Sequence, residues 1–323
     1  MNVPAFDGYF ADPMVLRCAG ELEGARYRYA AYGTGDPAES KAASDRVFEA
    51  VVSDDLVTWR SAGHVLERVS IDLGVDYWAP EVAFADGMFW MYYSVGHGID
   101  GHHIRIAQSD SALGPFHDLG LNLTPNESFA IDAHPFRDND GQWYLFFARD
   151  VLDSPRPGTH IAVAPMVSMT WLGPTTAALS PNADWQIYQR RRFIYDRTLD
   201  WHTLEGPCVI ARHGRYWMTY SGGAWTGEDY AVSWAVADRP LGPWCHQPQG
   251  TKPLLATSGD LRGPGHNSLT TNQDGDDIIV FHSWDEAGKR RMLRIRTISF
   301  ELEGPRVDGS TQAPPSGTDA VAQ

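Results

Sequence analysis

One short unit returns along the chain and narrows what the chain can fold into. A tight polar turn feeds a strand dense in aromatic residues. The unit appears as Ala85-Asp86-Gly87-Met88-Phe89-Trp90-Met91-Tyr92-Tyr93 and as Asp138-Asn139-Asp140-Gly141-Gln142-Trp143-Tyr144-Leu145-Phe146. It returns as Arg212-His213-Gly214-Arg215-Tyr216-Trp217-Met218-Thr219-Tyr220, and more weakly as Asp274-Gly275-Asp276-Asp277-Ile278-Ile279-Val280-Phe281. Glycine takes the positive φ that a tight hairpin turn requires. A second unit is a strand followed by a short turn and an aromatic plug. It is seen at 104–116, ending Leu113-Gly114-Pro115-Phe116, and at 230–244, ending Leu241-Gly242-Pro243-Trp244. An earlier version runs from Val51 to Trp59. A spacing of about 50 to 70 residues between such units is the signature of a propeller.

The rest of the pattern agrees. Strand-like runs fall at 27–31, 47–52, 88–94, 104–108, 143–148, 160–164, 216–221, 231–237, 278–282 and 293–299, and helical periodicity is scarce. The runs are rich in β-branched and aromatic residues and are broken by Gly, Asp, Asn and Pro. The expected fold is all-β, a five-bladed β-propeller in a single domain. Its blades are expected at 14–66, 78–124, 131–181, 205–256 and 265–307, within a domain of 1–307. Residues 184–201 read as an insertion between the third and fourth blades. The Pro-, Ser-, Thr- and Gly-rich segment 308–323 reads as a disordered tail.

The formal net charge of −15 makes nucleic acid and anionic membranes poor partners. The one dense basic run, Arg190-Arg191-Arg192, reads as a solvated loop. Three cysteines, Cys18, Cys208 and Cys245, form neither a disulfide framework nor a zinc-knuckle spacing. No apolar stretch is long enough to cross a bilayer as a helix. The start, Met1-Asn2-Val3-Pro4-Ala5-Phe6-Asp7, has no signal-peptide pattern, and a cytoplasmic location is the expectation.

Each predicted blade opens with a distinctive segment. These are Phe10-Ala11-Asp12-Pro13, Tyr77-Trp78-Ala79-Pro80-Glu81-Val82, Ile131-Asp132-Ala133-His134-Pro135, Leu204-Glu205-Gly206-Pro207 and Gly263-Pro264-Gly265-His266-Asn267-Ser268. If the blades are equivalent, Asp12, Asp132, Glu205 and His266 converge at one end of the central channel, with Trp78 at the edge. Taken singly, an Asp beside a Pro is an ordinary turn residue. Three acids among Phe, Ile, Leu and Pro at equivalent openings are another matter, because a charge placed in such surroundings must be compensated. Glycoside hydrolysis needs one protonated carboxyl for the leaving oxygen and one ionised carboxylate for water or for carbon. A third acid nearby keeps the donor's pKa up by like-charge repulsion. A sugar-binding propeller without catalysis would need only aromatic platforms and gives no reason for three acids. Trp78 is expected to stack on a sugar, with Trp225 a second candidate in the Gly222–Gly227 loop. Glu81 is expected to be a hydrogen-bonding residue beside the site rather than a catalytic one.

Read together and in order, the five openings resemble glycoside hydrolase family 43, over about residues 10–307. The resemblance also includes Gly214-Arg215-Tyr216-Trp217-Met218-Thr219-Tyr220-Ser221 after Glu205-Gly206-Pro207. It implies a general base at Asp12, a general acid at Glu205, and Asp132 as the group that raises and orients Glu205. It implies inversion of configuration, and so carboxyl groups of Asp12 and Glu205 ~6.5–9.5 Å apart. His266 is similar to a central histidine of the family, and a hydrated calcium there is the one metal the resemblance allows; no cofactor is required. Arg291 matches an arginine that reaches substrate and acid. The expected activity is release of a terminal pentose from an oligosaccharide by an α-L-arabinofuranosidase, with β-xylosidase next and endo-arabinanase third. The xylosidases of the family often carry a further C-terminal domain, which tilts the choice toward arabinose. The aromatic insertion, through Trp185, Tyr188, Phe193, Tyr195 and Trp201, is expected to wall the aglycone side of the pocket.

Overall fold

The protein is seen here in a computed structural model that describes residues 4–18, 27–36, 45–259 and 261–309. Of the expected disordered tail, all but residues 308 and 309 lies outside the described residues. Among the described residues the only helical segments are two 3-10 turns, Ile71–Leu73 and Asp184–Gln186. Everything else regular is strand. The strands group into five antiparallel meanders at 11–67, 76–122, 130–179, 197–246 and 262–307. The first, second and fifth are separate four-stranded sheets. The third and fourth are joined by a short parallel pairing of Gly158 with His202 and Thr159 with Thr203.

The predicted turns form as their residues dictate. Asp86 and Gly87, His213 and Gly214, Gly141 and Gly275 all have positive φ. Both Leu-Gly-Pro-aromatic units turn through a cis Gly-Pro bond and bury their plugs, Phe116 and Trp244.

The innermost strands are Ala11–Arg17, Asp76–Ala85, Ala130–Arg137, Arg197–Arg212 and Arg262–Thr271. Each touches the next, and the last touches the first, so they form a closed ring. Apolar faces pack between neighbouring blades as five clusters, one at each interface. Phe10, Val15, Tyr29 and Val51 of the first blade meet Ile278, Val280 and Leu293 of the fifth, which closes the ring. Backbone bonds from Phe10 N–H to Arg291 O (2.8 Å) and from Ala5 N–H to Leu293 O (3.0 Å) support that seam.

The insertion differs from its expected form. Ile187–Ile194 is a strand paired with Arg197–Arg212, the inner strand of the fourth blade itself. That inner strand therefore begins at Arg197 rather than near 205. The basic run is not a solvated loop either. Arg190 pairs with Asp200 at 3.1 Å, and the Arg192 guanidinium lies over the rings of Tyr188 (5.2 Å) and Trp201 (5.3 Å). The pairing is interrupted at Arg191, which is left-handed (φ 50°), and Arg192 is the one of the three that lies over those rings.

Candidate active site

Every inner strand is interrupted at an equivalent point. Asp12 (φ 48°), Ala79 (46°), Asp132 (59°), Gly206 (55°) and His266 (43°) are all left-handed. The strand register slips there or beside it. Such a bulge bends the strand and re-aims a side chain. Four of the five are not glycine, and left-handed backbone in a side-chain-bearing residue is strained. Here the strain is spent on turning Asp12, Asp132 and His266 toward the hub.

A cavity of about 310 Å³ sits over that hub. Asp12, Asp132, Glu205, His266, Arg291, Trp78 and Trp225 all line it. The sequence-predicted residues are thus brought together without exception. A second cavity of about 280 Å³ adjoins it, sharing Glu205, Trp78, Tyr188 and Trp225 and walled by Arg192, Tyr195 and Trp201 of the hairpin. The hairpin therefore stands beside Glu205.

The carboxyl groups have opposite settings. Asp12 is buried and accepts from Arg291 Nη1 at 3.1 Å. Burial alone would raise its pKa. The Arg291 charge, with help from His266, His282 and a Thr34 hydrogen bond, overrides burial and holds it far below the usual carboxylate range. Asp12 is ionised. Glu205 is pushed up to about 7, first by burial and then by the Asp12 charge, against a lowering hydrogen bond from Tyr230 and the Arg291 charge. The Tyr230 hydroxyl donates to Glu205 Oε1 at 2.6 Å. Asp132 is also raised, by burial, by Glu205 and by Asp12, while the Gly206 N–H opposes this with a 2.9 Å bond to Oδ2. Asp132 and Glu205 thus interact as a pair that retains a proton where isolated carboxyls would have lost it.

Arg291 is a hub residue in its own right. Its Nε donates to Tyr9 Oη at 2.8 Å, and its guanidinium lies 4.6 Å over the Trp225 ring. Trp225 also stacks on Trp284. Trp78 stacks on His102 at 3.6 Å and lines both cavities. Glu81 accepts from His134 Nδ1 at 2.8 Å, and His134 Nε2 accepts the Val209 N–H at 3.0 Å. It ties three blades together below the acids and does not line the cavity.

His266 places Nδ1 3.5 Å from Asp12 Oδ1 and 3.8 Å from Asp132 Oδ2, and burial pushes its pKa down. Among the described residues no group of three or more His, Cys, Asp or Glu is arranged to hold a metal ion. Calcium takes six to eight oxygen ligands, and the residues around His266 make no such cage. No step below is routed through a metal.

Sequence reasoning missed Tyr9, Arg192, Tyr230 and His282. His282 Nδ1 accepts the Asp12 N–H at 3.1 Å, so that nitrogen carries no proton, and burial with the Arg291 charge pushes its pKa well down. The one available signal was positional. His282 stands where Ser94 and Ser221 stand in the repeated aromatic strands.

A five-fold ring of sheets with an ionised and a protonated carboxyl facing one sugar-sized cavity defines a glycoside hydrolase. The family model for glycosyl hydrolases family 43 matches residues 3–304, and the chain belongs to that family. It is 29% identical to "Beta-D-galactofuranosidase xynD" of Aspergillus niger over 93% of this chain and 82% of that protein. It is 29% identical to an "Extracellular exo-alpha-(1->5)-L-arabinofuranosidase" of Streptomyces avermitilis over 65% of this chain, which is 43% of that protein. Among solved structures, a thermostable family-43 glycoside hydrolase superposes with a TM-score of 0.77 at 32% identity, covering 95% of each chain. More distant relatives carry xylosidase and endo-arabinosidase names.

Proposed function

We propose that the chain is an inverting, exo-acting glycosidase that releases a terminal pentose, with α-L-arabinofuranosides as its first substrates. The observation that carries this reading is the contrast between Asp12, held ionised by Arg291, and Glu205, held protonated near neutrality, in one cavity. Asp12 takes a proton from a water molecule as that water attacks the anomeric carbon. The glycosidic C–O bond breaks on the opposite face, and Glu205 gives its proton to the departing oxygen. Proton exchange with solvent then resets both groups. Asp132 shares a proton with Glu205, so that the pair still holds one near neutrality. In this reading His266 is a neutral spacer between two carboxyls rather than a metal ligand, and no cofactor enters the chemistry.

The exo assignment rests on the hairpin, which walls the cavity next to Glu205, where the leaving group must sit. The identity of the sugar rests on resemblance. The relative matched over most of this chain carries a galactofuranosidase name, so that five-membered ring is the second reading. The test is a panel of 4-nitrophenyl α-L-arabinofuranoside, β-D-galactofuranoside and β-D-xyloside beside arabino-oligosaccharides, with the first-formed anomer followed by NMR. Arabinofuranoside is expected to be turned over fastest, giving the inverted anomer. Retention of configuration, or preference for a xyloside, overturns the corresponding part of the proposal.

A further inference from the structure

The backbone N–H at each left-handed hub position needs an acceptor, because it is buried and turned out of its own ladder. Four of the five find one on the second strand of the preceding blade. Ala79 N–H donates to Thr34 Oγ1 at 2.9 Å, Asp132 N–H to Ser94 Oγ at 3.3 Å and His266 N–H to Ser221 Oγ at 2.7 Å. Asp12 N–H, across the ring seam, donates to His282 Nδ1 at 3.1 Å. These acceptors share one register. Thr34 pairs with Ala11, Ser94 with Trp78, Ser221 with Glu205 and His282 with Gly265, each the residue just before its own blade's left-handed position.

The third blade breaks the rule. The residue at that register, paired with Ile131, is Ala148, which is fully buried. Its methyl group accepts nothing. The N–H it would have served is that of Gly206, and this N–H donates to Asp132 Oδ2 at 2.9 Å instead. The exception falls at the single position where the served residue adjoins Glu205.

We infer that Ala148 is a positioning residue of the acid pair: by offering no acceptor it leaves the Gly206 N–H to Asp132, which favours the ionised form of Asp132 and so shifts the proton the pair shares toward Glu205. The inference rests on Glu205 being the proton donor. Asp132 otherwise faces groups that favour its neutral form or are themselves neutral. These are Glu205 and Tyr230 from the fourth blade, Asp12 from the first, Glu81 with its partner His134 from the second and third, and His266 from the fifth. The Gly206 amide is the one lowering contribution among those acting on Asp132.

Ala148→Ser places a hydroxyl where Ser94 and Ser221 already carry one, so the new side chain competes for Gly206 N–H. Asp132 then binds a proton more tightly. A pair sharing its last proton keeps it to higher pH but holds it on the wrong carboxyl. On the best substrate of the panel, kcat at the plateau is expected to fall about three- to tenfold, while the alkaline limb moves up by about 0.5–1 pH unit. Loss of activity without movement of the limb, or no change in either, overturns the inference. A second measurement needs neither the variant nor a substrate. In glycine-labelled wild type, the Gly206 amide resonance should follow the titration of the pair more strongly than that of Gly265. A Gly206 amide that ignores pH between about 5 and 9 (about two units either side of the raised Glu205 carboxyl, near 7) overturns the inference, whichever glycoside the protein cleaves. If no panel substrate is cleaved yet Gly206 titrates as described, the inference stands and the functional reading falls.

Discussion

The hub and the hairpin beside it are built from the same kind of strand, yet they have different origins in the chain. The hub is made five times over. Each blade contributes one left-handed interruption, and the ring brings Asp12, Asp132, Gly206 and His266 into register. The hairpin occurs once, as an upstream extension of a single inner strand. It contributes aromatic surface and one guanidinium, Arg192, and no catalytic carboxyl. Repetition supplies the chemistry, because several charges must meet at one point. In the proposed reading the unrepeated element shapes what can enter.

Three experiments would break or sharpen that division. The largest effect is expected at the hub. Asp12→Ala and Glu205→Ala should each lower kcat by about 10²–10⁴ with the fold intact by circular dichroism. A loss under tenfold in either would mean that the hub does not carry the reaction. Arg192→Ala comes next. It should raise KM for arabino-oligosaccharides about tenfold and change kcat less than about threefold, with a smaller effect on an aryl glycoside. If its kcat falls as far as that of the hub variants, the hairpin takes part in the transition state and the contrast fails.

The smallest effect concerns stability, and its sign differs within the hub. Glu205 has a folded pKa of about 7, above the ordinary 4.5 of a glutamate. Between those values the folded chain binds more protons than the unfolded one, so this group's contribution to stability falls as pH rises through that window. Asp12 runs the other way: its stabilisation is present above the unfolded carboxylate pKa and is lost in acid. Glu205→Gln should therefore raise Tm by about 2–5 °C at pH 8 and by little at pH 4, as followed by calorimetry. An equal gain at both pH values would remove the electrostatic account of Glu205.

The hub was legible in the sequence and the wall much less so, for a physical reason. An acid in an apolar segment that meets a Pro or Gly within three residues marks a bulged inner strand, and the aromatic repeats fix which acids are equivalent. Asp12, Asp132, Glu205 and His266 were therefore found together, and Trp78 came with its segment. Arg291 was placed from resemblance alone, since Arg290, Arg291 and Arg294 are alike in sequence and only the strand's register turns one of them to Asp12. Tyr230 reaches Glu205 from a loop of the same blade and His282 reaches Asp12 across the ring seam, and nothing in the local sequence marks either partner. The three consecutive arginines read as a solvated loop because their strand pairs with a neighbour that begins earlier than its blade pattern suggests.

The seam between the first and fifth blades has a consequence for the order of synthesis. Asp12 belongs to the first blade, yet His266, His282 and Arg291, which set its charge state, all belong to the last. A growing polypeptide that stops short of that blade holds only an ordinary aspartate at position 12. Under the proposed mechanism, hydrolytic competence therefore arrives in one step, when the circle shuts.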